Sequence, residues 1–270
     1  MKKVFALMFV LGLALMLAAT AQPAQAGTII LEGSDAIGFH CALGEAGACT
    51  YRDQAFSAIG GADPRNIAVF GNTVNATAVT SGSHAVSDFA SVAAAGALSN
   101  YVALYFLAGS GCCAEDDSLV TGNEAAISAY LASGGTVMIE NYTGGSAWDF
   151  AIGTGGTGNS HVAGVGGGFF SGLGCDDGET VTADGTLNGF TQPPALGCWT
   201  HQAYDAPYFA GLGFTHSFFN SPPGYSYGDS WSSLLSSGFT VSAVPEPGSM
   251  MLLGTGLIGL AGSIRRKLKK

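Results

Sequence analysis

The hydrophobic and polar positions in the first half of the chain predict alternating strands and helices. Continuous apolar runs bounded by polar residues or glycine predict buried strands at residues 28–32, 66–71, 101–107 and 136–140. Apolar residues three and four positions apart predict a helix over residues 87–98, and a capping box at residues 121–124 predicts a second helix from Glu124. This alternation is typical of βαβ units, so we predict an α/β fold: a three-layer sandwich with a mostly parallel, flavodoxin-like sheet.

The second half of the body has a weaker pattern, because glycine, serine and threonine dominate it. Residues 153–174 contain two glycine-rich runs and predict a loop. Residues 180–182, 209–219 and 238–241 predict further strands of the same domain. Since so much of this half lacks helical periodicity, a β-sandwich is the alternative architecture.

The N-terminus has the layout of a secretory signal peptide. Lys2 and Lys3 precede an apolar run at residues 4–19, and Ala24 and Ala26 form a small-x-small cleavage site. We therefore predict a signal helix within residues 1–26, export through the Sec machinery, and an exported body over residues 27–243.

The C-terminus, residues 244–270, combines three features in a fixed order. Pro245, Glu246 and Pro247 precede an apolar run at residues 250–264, and a basic tail follows at residues 265–270. As a helix the run covers about 22 Å, less than the ~30 Å hydrocarbon core, so we predict a hydrophobic helix that inserts only transiently in the inner membrane. The basic tail stays on the cytoplasmic side by the positive-inside rule.

This order of motif, apolar helix and basic tail resembles the PEP-CTERM sorting signal of Gram-negative bacteria. The resemblance implies cleavage near the motif by an exosortase and delivery to the cell surface or extracellular matrix. It also implies a host that makes exopolysaccharide, and hence a role in a biofilm.

The charge of the body argues against nucleic acid as a partner. The chain has a formal net charge of −10, and between residues 27 and 244 only Arg52 and Arg65 are basic. Binding to a phosphate backbone needs clustered Lys and Arg, which this stretch does not contain.

The six cysteines suggest disulfides, since the chain is predicted to be exported. Local spacing favours the pairs Cys41 with Cys49 and Cys175 with Cys198. Cys112 and Cys113 remain, and they are open to a vicinal bond or to other pairings. They follow a predicted buried strand in a glycine-containing loop, where ligand sites of open α/β sheets lie.

Residues 101–145 also resemble the class I glutamine amidotransferase-like superfamily, including its ThuA-like branch. The segments 107–109, 130–135 and 137–139 match its strand-loop, its Gly-Gly helix end and the strand before its sharp elbow. The resemblance implies a ligand loop formed by Cys112, Cys113 and the elbow residue Asn141. The elbow carries Asn141 where the amidotransferase branch has its nucleophilic cysteine, so we assign no catalytic residue.

The remaining candidate chemistry is sparse. The histidines show no zinc-binding spacing, so we predict no metal site and no cofactor. The acidic clusters at residues 115–117 and 176–179 leave calcium as a weak alternative. The aromatic-rich stretch at residues 199–227 is either core or a sugar-stacking surface.

We therefore expect a non-catalytic, exported surface or matrix protein associated with exopolysaccharide. A hydrolase-like or degenerate amidotransferase-like enzyme and a carbohydrate-binding module are the alternatives.

Overall fold

A computed structural model describes residues 27–71, 84–109, 114–153, 158–164, 179–192, 199–220 and 230–238. The chain divides into two compact units, Met1–Thr240 and Val241–Lys270, and every described residue belongs to the first. The predicted signal helix and the predicted C-terminal helix lie outside the described residues. Within the described ranges, no helix is both long and apolar enough to cross a bilayer.

The described residues contain ten strands and six α-helices. The strands are β1 (Thr28–Glu32), β2 (Ile67–Phe70), β3 (Val86–Phe89), β4 (Ala103–Phe106), β5 (Thr136–Glu140), β6 (Val162–Ala163), β7 (Thr180–Val181), β8 (Ala203–Asp205), β9 (His216–Asn220) and β10 (Trp231–Ser236). The helices are α1 (Ala46–Gly60), α2 (Val92–Ala95), α3 (Glu124–Ala132), α4 (Asp149–Ile152), α5 (Ala183–Leu187) and α6 (Ala206–Gly211). A π-helical turn at Ala36–His40 and short 3-10 turns complete the regular structure.

All ten strands form one sheet, in the order β3-β2-β4-β5-β1-β10-β8-β6, with β9 paired to β10 and β7 paired to β9. The strands from β3 to β1 are mutually parallel, and the later strands pair antiparallel. The prediction of an α/β fold with a large, mostly parallel sheet is confirmed. The β-sandwich alternative does not fit, because the strands share one sheet with helices packed on it.

The strand order differs from the 2-1-3-4-5 order of flavodoxin-like sheets. If the strands are renumbered with β2 as the first, the segment β3-β2-β4-β5 has the order 2-1-3-4 of a flavodoxin-like sheet. The fifth place, beside β5, is occupied by the N-terminal strand β1. This placement joins the parallel half of the sheet to the antiparallel half, because β1 also pairs with β10.

Two separate hydrophobic clusters cover the two faces of the sheet. Successive residues of a strand point to opposite faces, so Ile30 belongs to the cluster under α1 while Ile29 and Leu31 belong to the cluster under α3. The parallel strands are therefore buried on both faces, which explains their continuous apolar sequences.

Two predicted elements differ from the structure over part of their length. The segment predicted as a helix over residues 87–98 begins as β3, which pairs with β2 along its full length. A short helix follows, where the Ser91 side chain accepts from the Ala94 N–H and Gly96 ends the turn with φ +70°. Residues 209–219 were predicted as a strand. In the structure the first of them complete α6, which has Pro207 in its first turn, and β9 begins only at His216. Pairing within the sheet and local capping outweighed the sequence periodicity.

Several elements were not predicted, and the largest of them are α1 and β10. The buried side of α1 is formed by small and aromatic residues at helical spacing, including Ala48, Tyr51, Ala55 and Phe56. Its glycines and alanines hide that periodicity in the sequence. Strand β10 is entirely buried although half of its residues are serine, so its position in the sheet could not be read from hydrophobicity.

Candidate functional site

Two glutamates lie side by side in the interior at the carboxyl ends of β1 and β5. Glu32 and Glu140 end their strands, are register partners, and are fully buried. The hydroxyl groups of Tyr105 and Ser34 donate to Glu32, at 2.8 Å to Oε2 and 3.0 Å to Oε1. The Ala108 N–H donates to Glu140 Oε2 at 2.8 Å. Ligand sites of open parallel sheets lie at this edge, so the pair marks the candidate site.

Burial controls the protonation of both glutamates. Loss of solvent raises the pKa of Glu32 to about 8, against the opposing effect of the hydrogen bonds from Tyr105 and Ser34. Burial also raises the pKa of Glu140 well above its usual value, and the charge of Glu32 adds to this effect. Burial therefore favours the protonated, proton-donating form of both carboxyl groups. Acids perturbed in this way are concentrated at functional sites.

A second cluster joins one aspartate to two histidines. Asp35 follows β1, His40 ends the π-helical turn, and His201 comes from the segment that crosses the end of β1. His40 Nε2 lies 3.2 Å from Asp35 Oδ1, and His201 Nε2 lies 3.0 Å from Asp35 Oδ2. One ligand atom from each of the three residues falls within 4.8 Å of the others. This group is the set of described residues most suited to a metal ion.

Hydrogen bonds and neighbouring charges favour the charged forms of Asp35 and His40, although burial opposes them. Burial opposes ionisation of Asp35, but its hydrogen bonds with His201 and His40, and the charges of those rings, hold its pKa below the usual value. Burial similarly opposes protonation of His40, yet hydrogen bonds to Asp35 and Glu45 raise the pKa of His40. The arrangement therefore favours a carboxylate beside positive charge, whether that charge is a proton on imidazole or a cation.

Glu45 and Trp199 orient the His40 ring. His40 Nδ1 lies 2.8 Å from Glu45 Oε1, and the Trp199 indole N–H donates to Glu45 Oε2 at 2.7 Å. Trp199 is buried and its ring lies beside that of His40. Since Nδ1 faces Glu45, Nε2 is the nitrogen directed towards Asp35.

Asn141 forms the elbow directly after β5 and is buried in a conformation that favours glycine. It has φ +53°, the only positive φ among the described non-glycine residues. Its backbone N–H donates to the Glu32 carbonyl, and its own carbonyl accepts from the Glu115 N–H. Neither polar atom of its side chain has a hydrogen-bond partner in the described part of the chain. An unpaired buried amide is costly and calls for a functional explanation.

Comparison with known families identifies the C-terminus. Residues 243–267 match the family model described as the PEP-CTERM protein-sorting motif. The chain carries a PEP-CTERM sorting signal. The matched range includes Pro245, Glu246 and Pro247, and the motif implies an exported bacterial protein that an exosortase processes and that is sorted to the cell surface. Neither the curated proteins nor the solved structures contain a match to this PEP-CTERM chain.

The structure places some of the predicted site residues. Cys41 and Cys49 form a disulfide, the pairing that their spacing favours. Cys49 lies in the first turn of α1, in a segment for which only a short loop was expected.

The other cysteine pairings and the ligand loop remain predictions. The remaining cysteines lie outside the described residues: Cys112, Cys113, Cys175 and Cys198. The cleavage residues Ala24 and Ala26 lie outside them too.

The histidines separate into different environments. His201 joins the cluster at the sheet edge, whereas His216 Nδ1 lies 2.9 Å from Asp184 Oδ2. His161 Nδ1 lies 2.9 Å from Asp205 Oδ2 at another position. Only His40 and His201 of these rings therefore contribute to the candidate site.

The described aromatic residues of the 199–227 stretch are mainly core. Six of them are almost fully buried and offer no surface for stacking on sugars: Trp199, Tyr204, Phe209, Phe214, Phe218 and Phe219. In the acidic cluster at 115–117, Glu115 accepts from the Thr143 N–H and hydroxyl, and burial raises its pKa to about 8. Those oxygens already have protein partners, and residues 176–178 of the other cluster lie outside the described residues.

Sequence reasoning missed Asp35, His40 and Glu45 as site residues. Asp35 and His40 come three and eight residues after the end of a predicted strand, and this proximity was a usable signal. Their link to His201 depends on a segment far along the chain, and no spacing rule connects them.

Proposed function

We propose that this chain is a non-catalytic cell-surface protein of a Gram-negative bacterium, retained by exosortase processing and associated with exopolysaccharide. The observation that carries the proposal is the sorting motif at residues 243–267. In this proposal the Sec machinery exports the chain and removes residues 1–26. Residues 250–264 then hold it transiently in the inner membrane until the exosortase cuts near Pro245.

The contact with exopolysaccharide rests on the sorting system, which usually occurs together with exopolysaccharide synthesis. It does not rest on the aromatic stretch, whose described side chains are buried. The strongly acidic body fits a secreted matrix component, since a large negative net charge favours solubility.

Sorting is tested by changing the motif in the native host. Replacing Pro245, Glu246 and Pro247 together by alanine should stop exosortase processing and leave an unprocessed, membrane-held precursor. A chain ending just before Val244 should instead be released to the medium. The control is Thr240→Ala, which lies before the matched range and should leave processing unchanged. Unchanged processing and surface retention in both motif variants would refute the proposal.

Association with exopolysaccharide needs a separate experiment. The released body should bind to purified exopolysaccharide of the host in a pulldown, and cells lacking that polymer should shed the protein. Normal retention on polymer-free cells would remove exopolysaccharide from the proposal and leave the sorting assignment intact.

A hydrolase-like enzyme on the amidotransferase-like scaffold is a second candidate. It is favoured by the grouping of Glu32, Glu140 and Asn141 at the ligand-binding edge of the sheet. The elbow offers an amide and no nucleophile, so such an enzyme would depend on the protonated glutamates as acids. Hydrolytic activity that disappears in Glu140→Gln, with the fold retained, would favour this candidate over the non-catalytic one.

A further inference from the structure

We propose that Asp35, His40 and His201 bind one divalent transition-metal ion, and that zinc suits the donor set best. The proposal concerns the body alone and is independent of sorting and of any contact with exopolysaccharide. It follows from three features: the spacing of the donor atoms, the orientation of His40, and the charge around the cluster.

The spacing of the donors matches a tetrahedral ion. Zinc binds imidazole nitrogen and carboxylate oxygen at about 2.0–2.2 Å, which puts two ligand atoms of a tetrahedron about 3.3 Å apart. The nitrogen–oxygen separations here are 3.2 Å for His40 with Asp35 Oδ1 and 3.0 Å for His201 with Asp35 Oδ2. One ligand atom from each of the three residues lies within 4.8 Å of the other two, so the three donors converge on a volume that one ion could occupy.

The donor types select the class of metal. Two imidazoles and one carboxylate suit zinc and its first-row neighbours, whereas calcium takes six to eight oxygen ligands. Three protein ligands also leave a fourth position for water or an added group, as in zinc sites that handle a ligand.

The partner of the second His40 nitrogen is the independent observation. Histidines that bind metals usually donate their other N–H to a carboxylate, which fixes the ring and its tautomer. His40 Nδ1 has this partner in Glu45, which the Trp199 indole holds in turn. With the proton of a neutral His40 on Nδ1, the lone pair of Nε2 would be directed to the ion that Asp35, His40 and His201 share.

The buried charge also favours a cation. Asp35 is 1% exposed, and its carboxylate oxygens lie 3.2 Å from His40 Nε2 and 3.0 Å from His201 Nε2. A dication among these donors would offset the negative charge that Asp35 holds away from water.

The test uses the full chain, stripped with a chelator and then titrated with zinc chloride in a calorimeter. Cobalt(II) serves as a second probe, since its visible absorption reports coordination geometry. We expect one ion per chain and tetrahedral-type cobalt absorption. Asp35→Asn and His40→Ala should each weaken zinc binding more than about 100-fold, and Glu45→Gln by about 10- to 100-fold. Circular dichroism checks that each variant is folded.

The matched control is His216→Ala, which breaks another histidine–carboxylate pair at 2.9 Å and should leave zinc affinity unchanged. Absence of zinc and cobalt binding by the folded wild-type chain would overturn the proposal in favour of a metal-free ion-pair cluster. Wild-type affinity in Asp35→Asn and His40→Ala would overturn it in favour of adventitious binding elsewhere. If both variants fail to fold, the partly exposed Glu45 decides, and an unchanged affinity in Glu45→Gln overturns the proposal.

Discussion

Glu179 makes the stability of this protein depend on pH in a direction that the structure fixes. Its side chain is 2% exposed and accepts a hydrogen bond from the Thr200 hydroxyl at 3.0 Å. Burial raises the pKa of Glu179 from its ordinary 4.5 to about 7, although the hydrogen bond from Thr200 opposes this. In the folded chain the carboxyl keeps its proton up to about pH 7, while in the unfolded chain it loses the proton near pH 4.5.

The free energy of unfolding therefore falls as the pH rises across this window, because the folded state binds more protons than the unfolded state. A difference of about 2.5 between the two pKa values corresponds to about 3 kcal/mol. The contribution is fully present below pH 4.5, is lost progressively as the pH rises, and is absent above pH 7.

Glu179→Gln isolates this contribution, because glutamine has nearly the same shape and does not ionise. Urea unfolding of the wild type and the variant at pH 4 and pH 8 gives the free energy of unfolding by linear extrapolation. The variant should gain about 3 kcal/mol relative to the wild type between the two pH values. Asp88→Asn is the control, since it removes a carboxylate from an exposed strand position and should show no such gain. An equal difference at pH 4 and pH 8 would refute the assignment of a desolvated carboxyl at Glu179.

Three further predictions concern stability and are measured by urea or thermal unfolding. Trp148 is buried with its ring 5.0 Å from that of Phe106, so Trp148→Ala should cost about 3–5 kcal/mol, and a loss below about 1 kcal/mol would contradict its place in the core. Replacing both Cys41 and Cys49 by alanine should cost about 2–3 kcal/mol through the freed short loop, whereas an unchanged midpoint would show that the disulfide does not restrain the unfolded chain. Asn141 has φ +53°, so Asn141→Gly should keep or raise stability while Asn141→Ala lowers it by about 1 kcal/mol, and the reverse order would mean that the amide has an important partner.

The parallel core could be predicted because its signal is local. Strands β1 and β5 were predicted at their observed bounds, and β4 within the predicted range, since strands buried on both faces have continuous apolar sequences. The same reasoning failed for residues 87–98, where alanine periodicity predicted a helix and pairing with β2 produced a strand. It also failed for β10, whose serines are buried by the neighbouring strands and not by their own hydrophobicity.

The candidate site was only partly predictable. The edge beyond the parallel strands followed from the pattern of elements, and Asn141 at the elbow followed from the resemblance to the amidotransferase-like superfamily. The histidine cluster was not predictable, because His201 and Asp35 are far apart in the sequence and meet only in the folded sheet. The raised pKa values of Glu32 and Glu140 were equally hidden, since they depend on burial by residues distant in sequence.

The sequence by itself determined that this protein carries a sorting signal and that its body has a parallel α/β core. Both are written in contiguous residues: a sorting motif is a linear pattern of prolines, apolar residues and basic residues, and a buried strand is a short apolar run. Only the tertiary structure decided that β1 lies beside β5, so that Glu32 meets Glu140, and that Asp35 lies between two histidines. These contacts depend on packing between distant segments, which fixes the desolvation and charge of each group and is not encoded in any local spacing.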